Sequence, residues 1–332
     1  MSAVLITGAF GFVGGNLSRY LAGQGHTVWA LDVPALAATS GGAYERVFSW
    51  DALADIPWSQ IDAVIHLAGK AHDTRNASDP ESYFEINAGL TRTILDACVA
   101  GASPGRARTF ILFSTMKAVA DQTETVLDEQ CTPNPQTPYG RSKLEAEQCV
   151  FKTAEKHADR LRGYVLRPCM IHGPGNKGNF NLLYNVVCRG IPWPLGAYEN
   201  QRSFASIPNV CAVVEGLLTG DVPAGIYQVA DDEPLATNAI IRLMAEALQR
   251  RARIMRVSPR LIRVAAKMGD ALHLPLNSER LRKLTESYVV SNAKIKEALH
   301  WKTMPVSAID GMRSTLASFT SPKGQSCKSC PK

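Results

Sequence analysis

Two hydrophobic periods alternate along the first half of the chain. Val4-Leu-Ile6, Thr27-Val-Trp-Ala-Leu31, Ala63-Val-Ile-His-Leu67, Phe110-Ile-Leu-Phe113 and Gly163-Tyr-Val-Leu-Arg167 are short runs, apolar at nearly every position. A strand of that kind is buried on both faces, as in a parallel sheet covered by helices. Between the runs, apolar residues recur at helical spacing from Phe12 to about Ala22 and over roughly 81–101 and 139–158. Alternating strand and helix units predict an α/β fold, a doubly wound parallel sheet. After Pro174 the pattern changes. Gly, Pro and Asn are frequent up to residue 200, and helical spacing returns at about 208–219, 237–251 and 292–299. The expected organisation is a sheet domain over 1–174, a stretch over 175–320 that is mostly a smaller substrate-binding lobe, and a disordered tail over 321–332.

Composition narrows the class. Of 332 residues, 45% are hydrophobic and 20% charged, too apolar for a disordered chain. No apolar run approaches the ~20 residues of a membrane span. Only Met1 and Ser2 precede the first apolar run, without a Lys or Arg, so the N-terminus does not read as a secretory signal. Cys98, Cys131, Cys149, Cys169, Cys188 and Cys211 are scattered, several in apolar stretches, as buried free thiols are. The expected location is the cytoplasm. Cys327 and Cys330 form a C-x-x-C without the second pair a zinc site needs, and the seven histidines show no ligand spacing. No metal is expected. No basic motif interleaved with aromatics points to nucleic acid.

Three features carry chemistry. Gly8, Gly11 and Gly14 follow the first strand and open the first helix, the context in which glycines let backbone N–H groups approach a pyrophosphate. Asp32 closes the second strand where a carboxylate would accept from an adenosine ribose and repel a 2′-phosphate, favouring NAD(H), with NADP(H) as the alternative. A tight turn without ligand, capped by Asp32, is the plainer reading. Tyr139 and Lys143 stand i, i+4 on one helix face after Pro138. A phenol with a pKa of about 10 is a poor base, and a neighbouring ammonium lowers it. Thr115 ends the fourth strand, where ligands bind in doubly wound sheets. Taken singly, the pair is an ordinary helix start and the Thr a turn hydroxyl; together, in this order, they make a dehydrogenase-type site.

Over roughly residues 1–301, this order of glycines, Asp32, His66-Leu-Ala-Gly69, Asn87, Ser114-Thr115, Tyr139-x-x-x-Lys143 and Arg167-Pro168 resembles the extended short-chain dehydrogenases/reductases. That group, with its Rossmann-type domain, includes the NAD-dependent epimerases and dehydratases of nucleotide sugars. The resemblance implies that Tyr139 is the acid/base, that Lys143 orients the nicotinamide ribose and tunes Tyr139, and that Thr115 binds the sugar oxygen. It implies a cofactor site of Gly8, Phe10, Gly11, Phe12, Val13, Gly14, Asp32, Asp51, Ala52, Leu67, Ala68, Gly69, Lys70, Asn87, Tyr139, Lys143 and Arg167. Thr115, Met116, Lys117, Asn179 and Arg202 would meet a UDP-sugar, with Arg202 on the diphosphate; a surface salt bridge is the plainer reading of Arg202.

The stretches Ser114-Thr-Met-Lys-Ala118 and Pro192-Trp-Pro-Leu-Gly196 look closest to a bacterial subgroup of 4-keto reductases that make surface-polysaccharide precursors. The implied activity is reduction of a UDP-4-keto-6-deoxy-N-acetylhexosamine. The alternatives are a UDP-sugar 4-epimerase with retained NAD and, more remotely, a non-catalytic NAD-binding scaffold. Met116-Lys117 stands where 4,6-dehydratases carry Asp-Glu, so elimination lacks its acid and base. Pro208 replaces an acidic residue common at a helix start, and the pattern around Asn87-Ala-Gly-Leu-Thr91 is altered. The family often forms homodimers through two helices.

The net charge of +6 is local. Arg242 to Lys283 holds eleven Lys/Arg and three Asp/Glu, or +8, leaving −2 for the rest. A solvated basic face, a field that draws in an anionic sugar nucleotide, and a weak contact with an acidic membrane surface are the three readings.

Overall fold

The computed structural model describes residues 1–33, 42–70, 79–102, 105, 107–176, 179–272 and 277–320. The tail with Cys327 and Cys330, and His72 and His273, lie outside the described residues. The strands are β1 (Ala3–Thr7), β2 (Thr27–Leu31), β3 (Arg46–Phe48), β4 (Ala63–His66), β5 (Arg108–Phe113), β6 (Leu161–Pro168), β7 (Met170–His172), β8 (Phe204–Ser206) and β9 (Gly225–Val229). Seven of them form a parallel sheet in the order β3-β2-β1-β4-β5-β6-β9, and β7 pairs with β8 apart from it. The direction of winding reverses between β1 and β4, which opens a crevice beyond their carboxyl ends.

Every apolar run read from the sequence lies in a strand of this sheet. Successive side chains divide between its faces. Val4, Ile6, Ala63, Ile65, Ile111 and Phe113 meet α1 (Phe12–Gly23) on one side. Leu5, Val64, Phe110 and Leu112 meet the other side's helices. These begin with α2 (Pro80–Tyr83), which runs through a π-helical turn, Phe84–Gly89, into α3 (Leu90–Ala100). Beside them lies α4 (Pro138–Lys156), capped by Thr137, whose hydroxyl accepts from the Gly140 N–H at 3.2 Å.

The remaining helices are α5 (Asn179–Cys188), α6 (Ile207–Thr219), α7 (Thr237–Ala247), α8 (Pro259–Leu272), α9 (Ser278–Thr285), α10 (Ala293–Ala298) and α11 (Ala308–Thr320). The helix expected over 237–251 stops four residues early, because Gln249 turns left-handed with φ 53°. A division at residue 174 does not separate sheet from lobe. β9 lies beyond it in sequence yet pairs with β6, and Val210, Val213 and Leu217 of α6 share a core with Leu17 and Leu21 of α1. The chain leaves the sheet after β6, builds part of the lobe and returns. The lobe has its own two cores, one around Phe180, Tyr184, Met244 and Met312, the other around Trp193, Ile241 and Ile262.

Two glycines fix how closely the crevice closes. Gly8 has φ +67°, and a Cβ there would lie 2.6 Å from the Ala68 nitrogen at the end of β4. At Gly14 a Cβ would lie 2.5 Å from the Ala9 carbonyl, so only glycine lets α1 approach its own turn. Gly14→Ala is expected to cost about 1–3 kcal/mol of stability, read by urea unfolding. An unchanged midpoint would remove the close-approach argument.

Candidate active site

The crevice begins at the N-terminus of α1. Gly11 occupies the cap position, with no side-chain hydrogen bond to the helix and no acidic residue in the first turn. The first-turn N–H groups and the positive end of the helix dipole are therefore left for an anion. Asp32 is buried after β2. Its Oδ2 accepts from the Phe10 N–H at 2.7 Å and its Oδ1 from the Val33 N–H at 2.8 Å. The capping role weighed for Asp32 is thus present, and a carboxylate keeps further lone pairs for a ribose. Phe10 meets Tyr44 edge-on at 5.6 Å, and the Tyr44 hydroxyl donates to the Ala9 carbonyl. Phe12 and Val13 are half-buried on the first turn of α1. Asp51 and Ala52 sit on a helical turn after β3, Asp51 exposed.

Leu67, Ala68, Gly69 and Lys70 follow β4 and line the other wall. The Thr7 hydroxyl accepts from the Ala68 N–H at 3.2 Å and pairs with His66 Nδ1 at 2.6 Å; His66 Nε2 pairs with Thr91 Oγ1 at 3.1 Å. Burial, then the Lys143 charge, push the His66 pKa down to about 3, so the ring is neutral and structural. Asn87, fully buried in the π-turn, accepts from the Lys70 N–H at 2.8 Å and donates to the Lys70 carbonyl at 3.2 Å and Ser142 Oγ at 2.9 Å. Protein groups take both its donors, so its amide clamps the loop after β4 to α4.

The three residues of the dehydrogenase pattern meet at the carboxyl end of β5. Thr115 caps the short turn Met116–Ala118 and hydrogen-bonds the Tyr139 hydroxyl. Tyr139 stands edge-on to buried Tyr83, ring centres 6.1 Å apart. Lys143 is one turn along α4 and 5% exposed; among the described residues no hydrogen-bond acceptor is paired with its ammonium. Such a buried, unshared donor beside Gly69, where a Cβ would lie 3.6 Å from the ammonium, fits a cofactor ribose. Burial pushes Lys143 down to about 8, with the Glu147 charge opposing. Burial raises the Tyr139 pKa, outweighing the Thr115 hydrogen bond.

Arg167 does not face the cofactor crevice. It is 2% exposed and forks onto Glu147 of α4, Nε to Oε1 at 2.9 Å and Nη2 to Oε2 at 2.5 Å. Ser114 Oγ donates to the same Oε1. Glu147 is the residue the sequence reading missed. Its signal was its place four residues beyond Lys143, on the same helix face.

On the substrate side, Met116 is also corrected. It is 2% exposed in the main core, and only its carbonyl, which accepts from the Tyr288 hydroxyl at 3.2 Å, takes part in the site. Lys117 is half-buried, donates to the Asp121 carbonyl at 2.7 Å and lies 5.0 Å over the Tyr288 ring. Burial, and then the Arg202 and Lys283 charges among others, hold its pKa down. Arg202 is half-buried and donates to the Lys283 carbonyl at 2.6 Å; it shares the electrostatic neighbourhood of Lys117 and Glu286. Asn179 opens α5, but its side chain lies outside the described residues. Pro208 sits in the first turn of α6, where buried Asp231 supplies the missing carboxylate. It accepts from Ser206 N–H at 3.0 Å and Asn209 Nδ2 at 2.7 Å.

The sequence pattern of the NAD dependent epimerase/dehydratase family matches residues 4–229. UDP-glucose 4-epimerase of Vibrio cholerae is 27% identical over 96% of this chain and 95% of that protein. GDP-6-deoxy-D-mannose reductase of Pseudomonas aeruginosa is 28% identical over 82% of this chain and 89% of that protein. The structure of Thermus thermophilus UDP-glucose 4-epimerase with NAD superimposes with a TM-score of 0.72 at 22% identity, covering 96% of this chain and 98% of that one, a likeness of fold.

Arg167→Met leaves the Glu147 carboxylate buried and unpaired. It is expected to cost about 3–5 kcal/mol in chemical unfolding, with much of the loss recovered in Arg167→Met/Glu147→Leu. Equal losses in both variants would show that the pair does not hold α4.

Proposed function

We propose that this chain, which belongs to the NAD dependent epimerase/dehydratase family, transfers hydride at C4 of a UDP-hexose. The reading preferred is reduction of a UDP-4-keto-6-deoxy-N-acetylhexosamine for surface-polysaccharide synthesis. The observation that carries it is the Thr115–Tyr139 hydrogen bond beside the buried Lys143 ammonium. Thr115 and Tyr139 offer two hydroxyls to one sugar oxygen. Burial keeps Tyr139 protonated at neutral pH, so it donates its proton to O4 as the ketone is reduced. Lys143, held at about 8, stays charged there and stabilises the phenolate that results. When bound, NAD(P)H supplies the hydride to C4. Lys117 and Arg202 are assigned to the diphosphate. The glycine turn and Asp32 are assigned to the cofactor, NAD(H) in preference to NADP(H).

The second reading is a UDP-sugar 4-epimerase. It is supported by the likeness to the Vibrio cholerae epimerase along nearly the whole of both chains. In epimerisation Tyr139 takes the O4 proton as C4 is oxidised and returns it as C4 is reduced. The Thr115, Tyr139 and Lys143 set argues against a mere scaffold. A homodimer and a cytoplasmic location belong to the same proposal and rest on the family resemblance; sedimentation velocity reads the first.

Denaturing the purified protein and chromatographing any released nucleotide separates the two activities. Retained NAD marks the epimerase. NAD(P)H consumed only when a UDP-4-keto-6-deoxyhexosamine is added marks the reductase. Tyr139→Phe is expected to keep cofactor affinity and lose about 10²–10⁴-fold in turnover. In the reductive direction the wild-type rate should stay level through neutral pH and fall as pH passes about 8, where Lys143 loses the charge that stabilises the phenolate. A rate that climbs steadily from pH 6 to 9 would instead mark Tyr139 as a base. Asp32→Asn keeps an acceptor for the Phe10 N–H but drops the charge. It should shift the ratio of NADP(H) to NAD(H) affinity by about tenfold toward NADP(H), measured by fluorescence titration. An unchanged ratio would sink the assignment of Asp32.

A further inference from the structure

Helix α8 packs on the lobe through a narrow sector only. Ile262 and Ala266 are buried at 6% and 0% exposure, in one core with Trp193, Leu195, Ile241 and Leu281. Leu261, Val264 and Met268, at i, i+3 and i+7, are 64%, 56% and 57% exposed. Single exposed apolar residues are ordinary, but a stripe at helical spacing is not. At about 100° per residue, these three fall within one arc opposite the buried sector, and Arg260, Arg263 and Lys267 fall in the adjoining arc on one side of them. Among the described residues none of those three cations makes an ion pair. The helix's one acidic residue, Asp270, is turned to α9, accepting from Ser278 N–H at 2.9 Å and Ser278 Oγ at 2.5 Å.

The surroundings repeat the sign. The stretch from Arg242 to Lys283 carries +8. Trp193 and Ile241, which lie under α8, also line a cavity of about 440 Å³ rimmed by Arg189, Arg250, Arg251 and Arg253. Exposed Met255 precedes the helix.

We propose that α8 is a membrane-docking helix, whose stripe of Leu261, Val264 and Met268, flanked by Arg260, Arg263 and Lys267, seats this chain on an anionic lipid bilayer. A helix lying in the interface buries an apolar stripe at the acyl boundary and keeps its cations among the head groups. A second copy is the poorer occupant. A twofold contact through α8 would bring Arg260, Arg263 and Lys267 against the same residues of the partner, whereas an anionic bilayer offers apolar depth and negative charge together. The inference does not depend on which sugar the catalytic site takes.

The test is flotation of the full chain with phosphatidylcholine vesicles, with and without about 30% phosphatidylglycerol. Binding is expected to the anionic vesicles, to weaken as salt rises from about 0.1 to about 0.5 M, and to fall about tenfold or more in Leu261→Ser/Val264→Ser/Met268→Ser. Circular dichroism and NAD(H) binding establish that the variant is folded. Met268→Trp gives a second reading, with blue-shifted emission expected when anionic vesicles are added. No flotation at low salt, or equal flotation of the folded triple variant, overturns the proposal. So does a triple variant that changes only the oligomeric state, which would assign the stripe to a second copy.

Discussion

The carboxylate of Glu147 fixes the geometry of the candidate site. It reaches across from α4 to two neighbouring strands, taking the fork of Arg167 on β6 and the hydroxyl of Ser114 just beyond β5. A buried ion pair is costly to desolvate, and it persists only where its lone pairs are filled. Filling them leaves α4 one rotation about its axis. Lys143 lies one turn back from Glu147 and Tyr139 two turns back. Thr115, the residue after Ser114, is therefore the one that meets the Tyr139 hydroxyl. Glu147 also opposes the loss of charge that burial imposes on Lys143.

Burial acts on three titratable side chains around that anchor. It raises Tyr139, brings Lys143 to about 8 and His66 to about 3. For His66 the unfolded chain binds its proton near pH 6.5 and the folded chain only near 3. Its contribution to stability is thus full above about 6.5 and lost as pH falls toward 3. For Lys143 the unfolded value is also the higher one, so its burial costs stability at neutral pH and that cost lifts only above about 8. The site spends stability at neutral pH to keep an ammonium out of water beside a protonated phenol. It is a poor place for a merely structural lysine.

Much of this was legible in the chain. Strands buried on both faces have no alternation to disguise them, so the five apolar runs marked the sheet. Gly8, Gly14, Thr115, Tyr139 and Lys143 were readable because spacing and position at strand ends constrain them together. What failed had a local cause. Arg167 and Met116 stand beside functional residues, and adjacency in sequence does not give direction: along a strand, or into a tight turn, neighbours point opposite ways. β3 and β9 were missed because they are the edges of the sheet, where polar residues such as Arg46 and Gln228 break the apolar run. The return of the chain to the sheet through β9 was hidden with them. Glu147 was hidden because a glutamate on an amphipathic helix ordinarily faces water.

The positive charge of the lobe illustrates the complementary limit. Apolar residues recur at helical spacing along α8, and a stripe with that period ordinarily faces a core. Here the two kinds of apolar position belong to different neighbours. Ile262 and Ala266 close the small core over Trp193, while Leu261, Val264 and Met268 are left in water. Periodicity puts the two sets on opposite faces of the helix but does not say which of them meets the core; exposure does. The chemistry is confined to the carboxyl end of the sheet, where buried charges are individually paired or held for a ligand. Arg260, Arg263 and Lys267, which make no ion pair among the described residues, lie on a helix that the sheet does not need for its own packing. A chain that leaves those cations and that stripe together at its surface has separated the place where it reacts from the place where it is held.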